Sequence, residues 1–194
     1  MHPIVDTAEV APPRRLSTRR SPGNPFLLRD NGLELRLAAS RFERIEAQRL
    51  RLEVFNLELQ LGLSSSLASG LDQDAHDGHC DHLLVVDTER DCLVGTYRLL
   101  SFDRVPSFGF YSETEFDLTN VKRSGLRLLE LGRSCVALEY RDGRVISPLF
   151  RGYLRLGAKV CGPPAYDRQF GTTDYFVLAK TRDLVARYSR RYFW

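Results

Sequence analysis

Apolar and polar positions alternate cleanly in Leu33-Glu34-Leu35-Arg36-Leu37, which predicts a first strand. The period then changes. Ser40-Arg41-Phe42-Glu43 has the form of a capping box, with Ser40 as the cap and Glu43 reaching back. The helix it opens should run to about Leu61, where Gly62 stops it. Ile45, Leu52, Phe55 and Leu59 form one apolar stripe, and Leu50, Val54, Leu57 and Leu61 form another, so much of its circumference is covered. Arg51 and Phe55 lie one turn apart on one face, and an Arg there needs an anion or a carboxylate. Leu83-Leu84-Val85-Val86 predicts a buried strand. Asp87 to Asp91 turns the chain, and Leu93 to Leu100 returns it, making an antiparallel hairpin.

A later strand, from about Arg127 to Leu138, breaks its own pattern. Leu129, Leu131 and Cys135 alternate with Glu130 and Ser134, and Arg133 sits among them. An unpaired buried charge is costly. Glu130 and Arg133 therefore either face water on a one-sided strand or belong to a site.

The remaining segments are less regular. Residues 1–30 carry Pro3, Pro12, Pro13, Pro22 and Pro25 with little periodicity, and predict a mobile arm. Residues 63–80 predict a polar loop holding Asp72, Asp74 and Asp77. Residues 101–120 are irregular and aromatic, with Phe102, Phe108, Phe110, Tyr111 and Phe116 forming a wall or lid over something apolar. A helix from about Val145 to Leu156 presents Arg144, Arg151 and Arg155 as a basic stripe. Gly162-Pro163-Pro164 interrupts the chain, Tyr175 to Leu178 predicts a late strand, and the last fifteen residues predict a basic helix. These elements make an α+β layout, a mixed or antiparallel sheet flanked by helices.

Composition narrows the classes. The 194 residues suit one domain plus a tail, and 43% apolar with 27% charged residues suits a water-soluble globule. No apolar run is long enough to span a membrane, and Met1 to Arg20 lacks a secretory apolar core, so the cytoplasm is the expected compartment. Cys80, Cys92, Cys135 and Cys161 contain no C-x-x-C pair and are expected as buried thiols. A net charge of +3 gives no ground for nucleic-acid binding. The Arg-rich ends could rest on anionic lipid or on an acidic carrier protein, or be solvated tails.

Three constellations invite chemistry. His76, His79 and His82 with Cys80 have the residue types of a zinc site, but Gly78 and the following strand disfavour the helix that would align them, so no metal is expected. Asp72, Asp74 and Asp77 do not fit a calcium loop; they could hold Arg51 and Arg98 or receive a cationic substrate. Ser134 and Cys135 lack a nucleophile elbow, and no Walker A or G-x-G-x-x-G loop is present.

Four blocks occur in a fixed order: Arg51-Leu-Glu-Val-Phe55, Asp74-Ala-His-Asp77, Gly95-Thr-Tyr-Arg98 and Glu130-Leu-Gly-Arg133. Their order resembles the acyl-homoserine-lactone synthases and their relatives, a branch of the GNAT acyltransferase superfamily. Three further segments bring it nearer to the L-ornithine Nα-acyltransferases, once labelled hemolysin-like. These are Cys80-Asp-His82-Leu-Leu-Val, Phe110-Tyr-Ser-Glu113-Thr-Glu-Phe-Asp117-Leu, and the run from Gly157 to Asp174. The resemblance covers about residues 33–194. Ala165-Tyr166-Asp167 and Arg168-Gln169 depart from the usual Ala-Ile/Leu-Asp and Arg-Glu, which bears on substrate detail.

The resemblance implies a GNAT-like fold with a largely antiparallel sheet over 31–194, and transfer of a long, 3-hydroxylated acyl chain from acyl carrier protein to an amino acid α-amine. Ornithine is the expected acceptor; another amino acid, lactone synthesis from S-adenosylmethionine, or a non-enzymatic membrane-active protein are the alternatives. The region Glu139 to Pro148 lacks the loop that cradles coenzyme A pyrophosphate, which favours the carrier protein as donor, docked on Arg144, Arg151 and Arg155, with no cofactor. Glu130 is the candidate base, its pKa raised by Leu129 and Leu131, with an oxyanion donor from a backbone bulge after Cys135. Arg51, Asp74, Asp77, Arg98 and Arg133 are the candidate substrate-binding and pocket-shaping charges, Arg133 and its fellows pairing with Asp74 and Asp77. Phe55, Leu99, Phe102, Phe110 and Cys135 are the candidate acyl pocket. An amphiphilic product makes peripheral membrane contact compatible with this activity.

Overall fold

Asn31 and Gly32 both stand at positive φ, 47° and 76°, and join two strands by a two-residue turn. Asn-Gly suits that turn because both central residues must adopt the left-handed region. The strands are β1 (Leu28–Asp30) and β2 (Leu33–Leu37), with Asp30 opposite Leu33. The turn falls across the expected end of the N-terminal arm. The computed structural model describes Leu16, residues 28–114 and 116–142, Val145, and four short strands between 158 and 179. Leu16, which the sequence placed in that arm, is 1% exposed, and its N–H donates to the Asp91 carbonyl at 2.7 Å.

Helix α1 (Arg41–Arg51) starts as its capping residues dictate. Ser40 Oγ accepts from the Glu43 N–H at 3.2 Å, while Glu43 Oε2 reaches back to the Ala39 N–H at 2.6 Å. Such a cap is worth about 1 kcal/mol. The helix then widens into a π-helical stretch, Leu52–Glu58. This breaks the regular period expected to Leu61. Ala47, Leu50, Arg51 and Val54 form the buried face, but Leu57 and Leu59 are exposed rather than continuing a stripe. A short helix α2 (Ser64–Ser69), ended by Gly70 at φ 70°, lies in the region expected to be loop.

Strands β3 (Asp81–Asp87) and β4 (Cys92–Ser101) form the expected hairpin, and β5 (Leu129–Val136) pairs with β4 after a short helix α3 (Thr119–Arg123). The sheet order is β1-β2-β3-β4-β5, and every neighbouring pair is antiparallel. Further along, β6 (Ala158–Val160) pairs with β9 (Val177–Ala179), which overlaps the expected late strand, and β7 (Ala165–Asp167) pairs with β8 (Thr172–Asp174). The expected basic helices at 145–156 and at the C-terminus lie outside the described residues.

The sheet has two packed faces. Leu35, Leu83, Val85, Val94 and Leu99 share one with Tyr140 and Val145. Gly95 lies on that face, where a Cβ would stand 2.8 Å from Val145 Cγ1, so the glycine lets Val145 seat against the sheet. Helix α1 and the π-helical stretch after it cover the other face through Ala47, Leu50 and Val54, packed with Leu16, Leu84, Val86, Leu93 and Cys135. On this second face the charged residues collect.

Candidate active site

Strand alternation aims His82, Thr96, Arg98 and Glu130 toward the side that α1 covers, beside the loop carrying Asp72, Asp74 and Asp77. Arg51 is 0% exposed. Its Nε donates to Asp72 Oδ1 at 2.9 Å, and its Nη2 donates to Asp77 Oδ1 at 2.7 Å and to the Asp72 carbonyl. Arg98 Nη1 donates to Asp74 Oδ1 at 2.6 Å and to Asp77 Oδ2 at 3.1 Å. Gln48 Nε2 adds a 3.3 Å bond to Asp77. The pairing of Arg51 and Arg98 with loop carboxylates is thus present.

Arg133 differs from expectation: it bonds Asp72, not Asp74 or Asp77. Its Nε donates to Asp72 Oδ1 at 3.1 Å and its Nη2 donates to Oδ2, while its guanidinium lies 4.6 Å from the centre of the Phe55 ring. The bulge in β5 explains the reach. Arg98 stands opposite Gly132 and Thr96 opposite Cys135, so Tyr97 alone faces both Arg133 and Ser134. Arg133 takes φ 48° there, a left-handed conformation that costs a non-glycine residue about 1 kcal/mol. The bulge lies before Cys135, not after it.

Charge and burial oppose each other inside the cluster. Burial disfavours ionisation of Asp77, yet the Arg51 guanidinium, the Asp74 N–H and Arg98 hold its carboxyl well below the usual carboxylate range. His82, buried with its Nε2 3.6 Å from Asp77, is pushed down to about 4, first by burial and then by Arg51, and is a neutral ring. Burial pushes the Cys80 and Cys135 thiols up to about 12, which suits neither for nucleophilic work. Among the described residues no group of three His, Cys, Asp or Glu could hold a metal ion. His76 instead sets its Nε2 3.2 Å from the Gly109 carbonyl.

Glu130 stands apart from the buried ions. No cation pairs with it among the described residues. Its Oε2 accepts from the Tyr111 N–H at 3.0 Å, and its Oε1 accepts from the Ser112 N–H at 2.7 Å and the Ser112 hydroxyl at 2.5 Å. The sequence suggested an apolar setting made by Leu129 and Leu131. Those side chains pack against the opposite face of the sheet, because neighbours on a strand point opposite ways. Polar donors surround the carboxylate instead. Tyr111 and Ser112 stood in the aromatic segment and in the Phe110 to Leu118 block of the resemblance, with no role assigned to either.

The structure divides the expected acyl-pocket residues. Phe55 and Cys135 come together under α1. Leu99 is on the opposite face, and Phe110 packs in a third cluster with Cys80, Leu100 and Leu118. Phe102 is 50% exposed. The same alternation separates Leu99 from the charged face. Arg51 and Asp77 are too deeply buried to touch a substrate from where they lie; they brace the loop from within. Arg144, Arg151 and Arg155 lie outside the described residues. No helix among the described residues is long and apolar enough to cross a membrane.

Several known proteins are similar to this chain. An L-ornithine N(alpha)-acyltransferase of Brucella abortus is 43% identical over 144 residues, covering 68% of this chain and 50% of that protein. One of Agrobacterium fabrum is 38% identical over 160 residues, covering 78% and 54%. The chain thus spans about half the length of the curated relatives it matches. A solved N-acyl amino acid synthase from uncultured soil microbes superposes with a TM-score of 0.49 at 12% identity, over 80% of this chain and 97% of that one. Residues 50–151, just over half of the chain, match the family described as the acetyltransferase (GNAT) domain. That span runs from the Arg51 helix to beyond the β5 bulge, and on this match the chain belongs to the GNAT acetyltransferase-domain family.

Proposed function

We propose that the chain is an N-acyltransferase that moves a long (3-hydroxy)acyl group from acyl carrier protein to the α-amine of L-ornithine, giving a lyso-ornithine lipid. The observation that carries this is the shared name of four curated relatives at 37–43% identity, each an L-ornithine N(alpha)-acyltransferase. Glu130 supports it from the geometry. It is a half-buried carboxylate without a cationic partner among the described residues, three positions from a strand bulge.

An amine must be neutral to attack a thioester, and an amino acid's α-amine is mostly protonated near pH 7. Glu130 takes that proton. The nitrogen forms its bond to the acyl carbon, the C–S bond breaks with the pair staying on sulfur, and the sulfur takes the second proton from nitrogen and leaves as the thiol. Backbone donors at the Arg133–Ser134 bulge serve the transient oxyanion. Arg51, Asp72, Asp74, Asp77, Arg98 and Arg133 hold the bulge and the loop in register. Phe55 and Cys135 line one end of the acyl path. Arg144, Arg151 and Arg155 dock the acidic carrier protein, and the amphiphilic product favours peripheral contact with a membrane face.

The test is incubation of the chain with a 3-hydroxyacyl carrier protein and a panel of amino acids, with products read by mass. N-acyl-ornithine is the expected product. An N-acyl product from another amino acid alone would move the acceptor, and no N-acyl product from any acceptor would end the proposal.

A further inference from the structure

The donors around Glu130 restrict how it can take a proton. Each carboxylate oxygen offers two lone pairs. Oε1 is filled by the Ser112 N–H and hydroxyl, and Oε2 keeps one lone pair beside the Tyr111 N–H. Ser112 Oγ donates to Oε1 and accepts from no described group. Ser112 is only partly buried, which leaves room for an incoming amine to approach it.

The turn carrying Ser112 is fixed from several sides. The Arg98 guanidinium lies 5.5 Å from the Tyr111 ring centre, and the His76 ring meets Tyr111 edge-on at 5.8 Å. The Phe116 N–H closes the turn by donating to the Ser112 carbonyl at 2.8 Å. The buried ion cluster therefore holds the hydroxyl against Glu130 through Arg98 and Tyr111.

We propose that Ser112 is a catalytic proton relay between the acceptor amine and Glu130. The relay rests on acyl transfer to an amine being the chain's reaction. The acceptor ammonium gives a proton to Ser112 Oγ as Ser112 passes its own hydroxyl proton to Glu130 Oε1. The freed nitrogen lone pair forms the N–C bond to the thioester carbonyl carbon. As the C–S bond breaks, the sulfur keeps the bonding pair and takes the second proton from nitrogen, leaving an amide and a thiol. Glu130 then releases its proton to water, and no other reactant is needed.

Ser112→Ala and Ser112→Thr test it in single-turnover assays. Both variants keep the two backbone N–H bonds to Glu130, and melting curves check that the fold is retained. Ser112→Ala is expected to lower the rate about 10²-fold with an unchanged KM for the amino acid. Its proton inventory in H2O–D2O mixtures should turn from bowed to linear, and Ser112→Thr should restore most of the rate. Wild-type rate and a bowed inventory in Ser112→Ala would overturn the relay and leave Glu130 acting directly through Oε2. A rate loss that follows a lowered melting point and that Thr does not rescue would overturn it in favour of a purely structural cap. No acylation by the wild-type chain would overturn acyl transfer itself, and the relay with it.

Discussion

Arg133 grips both oxygens of Asp72 from a left-handed position in the β5 bulge, across 61 residues of sequence. The contact ties the irregular strand to the loop after α2, and Arg51 grips the same Asp72 from α1. Removing Arg133 leaves a buried carboxylate with one cation where it had two. Because Arg51 still compensates Asp72, Arg133→Ala is expected to cost about 2–3 kcal/mol in urea unfolding. Arg133→Gly, which fits φ 48° without strain, should be milder by about 1 kcal/mol. Equal costs would show that the backbone conformation is not strained. Arg133→Lys should recover only part of the loss, because an ammonium cannot make the paired contact.

The titration of His82 gives stability a defined pH dependence. Its folded pKa, about 4, lies below the ordinary 6.5. Between those values the unfolded chain binds a proton that the folded chain does not, so stability falls as pH drops through that window, by about 3 kcal/mol in all. Asp77 acts below it. A carboxyl held low contributes fully above its unfolded value of 3.8 and loses that contribution as pH falls further. Thermal melts from pH 7 to pH 3 should show both limbs. His82→Gln should flatten the upper limb and leave the lower one. An unchanged upper limb would assign it to another group.

Gly95 and Val145 should be energetically coupled. Gly95→Ala places a methyl group 2.8 Å from Val145 Cγ1, an overpacking that costs about 1–3 kcal/mol. Combined with Val145→Ala, the two costs should be less than additive in a double-mutant cycle. Strict additivity would mean that the chain relaxes around the added methyl.

Cys80 and Cys135 should resist thiol reagents. Both are buried, with pKa values pushed up to about 12, so the thiolate is scarce at pH 8. Labelling followed by peptide mapping should find them protected until the chain unfolds. Rapid native labelling of Cys135 would reopen it as a nucleophile.

Much of the sheet could be read from the sequence because its strands obey alternation. Leu33–Leu37 and the β3–β4 hairpin appear where the pattern put them. β1 was missed although Asn31-Gly32 carried a hairpin signal, because the preceding prolines outweighed it. The π-helical stretch could not be read, since widening a helix leaves no mark in a stripe pattern that already covered most of its circumference. In the site, the buried Arg51 announced its need for carboxylates, and they are there. The exchange of Asp72 for Asp74 and Asp77 as the Arg133 partner depended on a bulge that shifts register by one residue, a feature alternation does not encode. Leu99 and Phe102 were grouped with Phe55 by residue type alone, and strand direction and exposure separate them.

Acyl transfer through Glu130 is tested most directly by ornithine-dependent thiol release from 3-hydroxyacyl carrier protein, compared between the wild-type chain and Glu130→Gln. Release by the wild type is expected only when ornithine is present, with N-acyl-ornithine formed in equal amount, and a loss of about 10²–10⁴-fold is expected in Glu130→Gln. Wild-type release that ignores the amino acid, or a Glu130→Gln chain that turns over like the wild type, would contradict it.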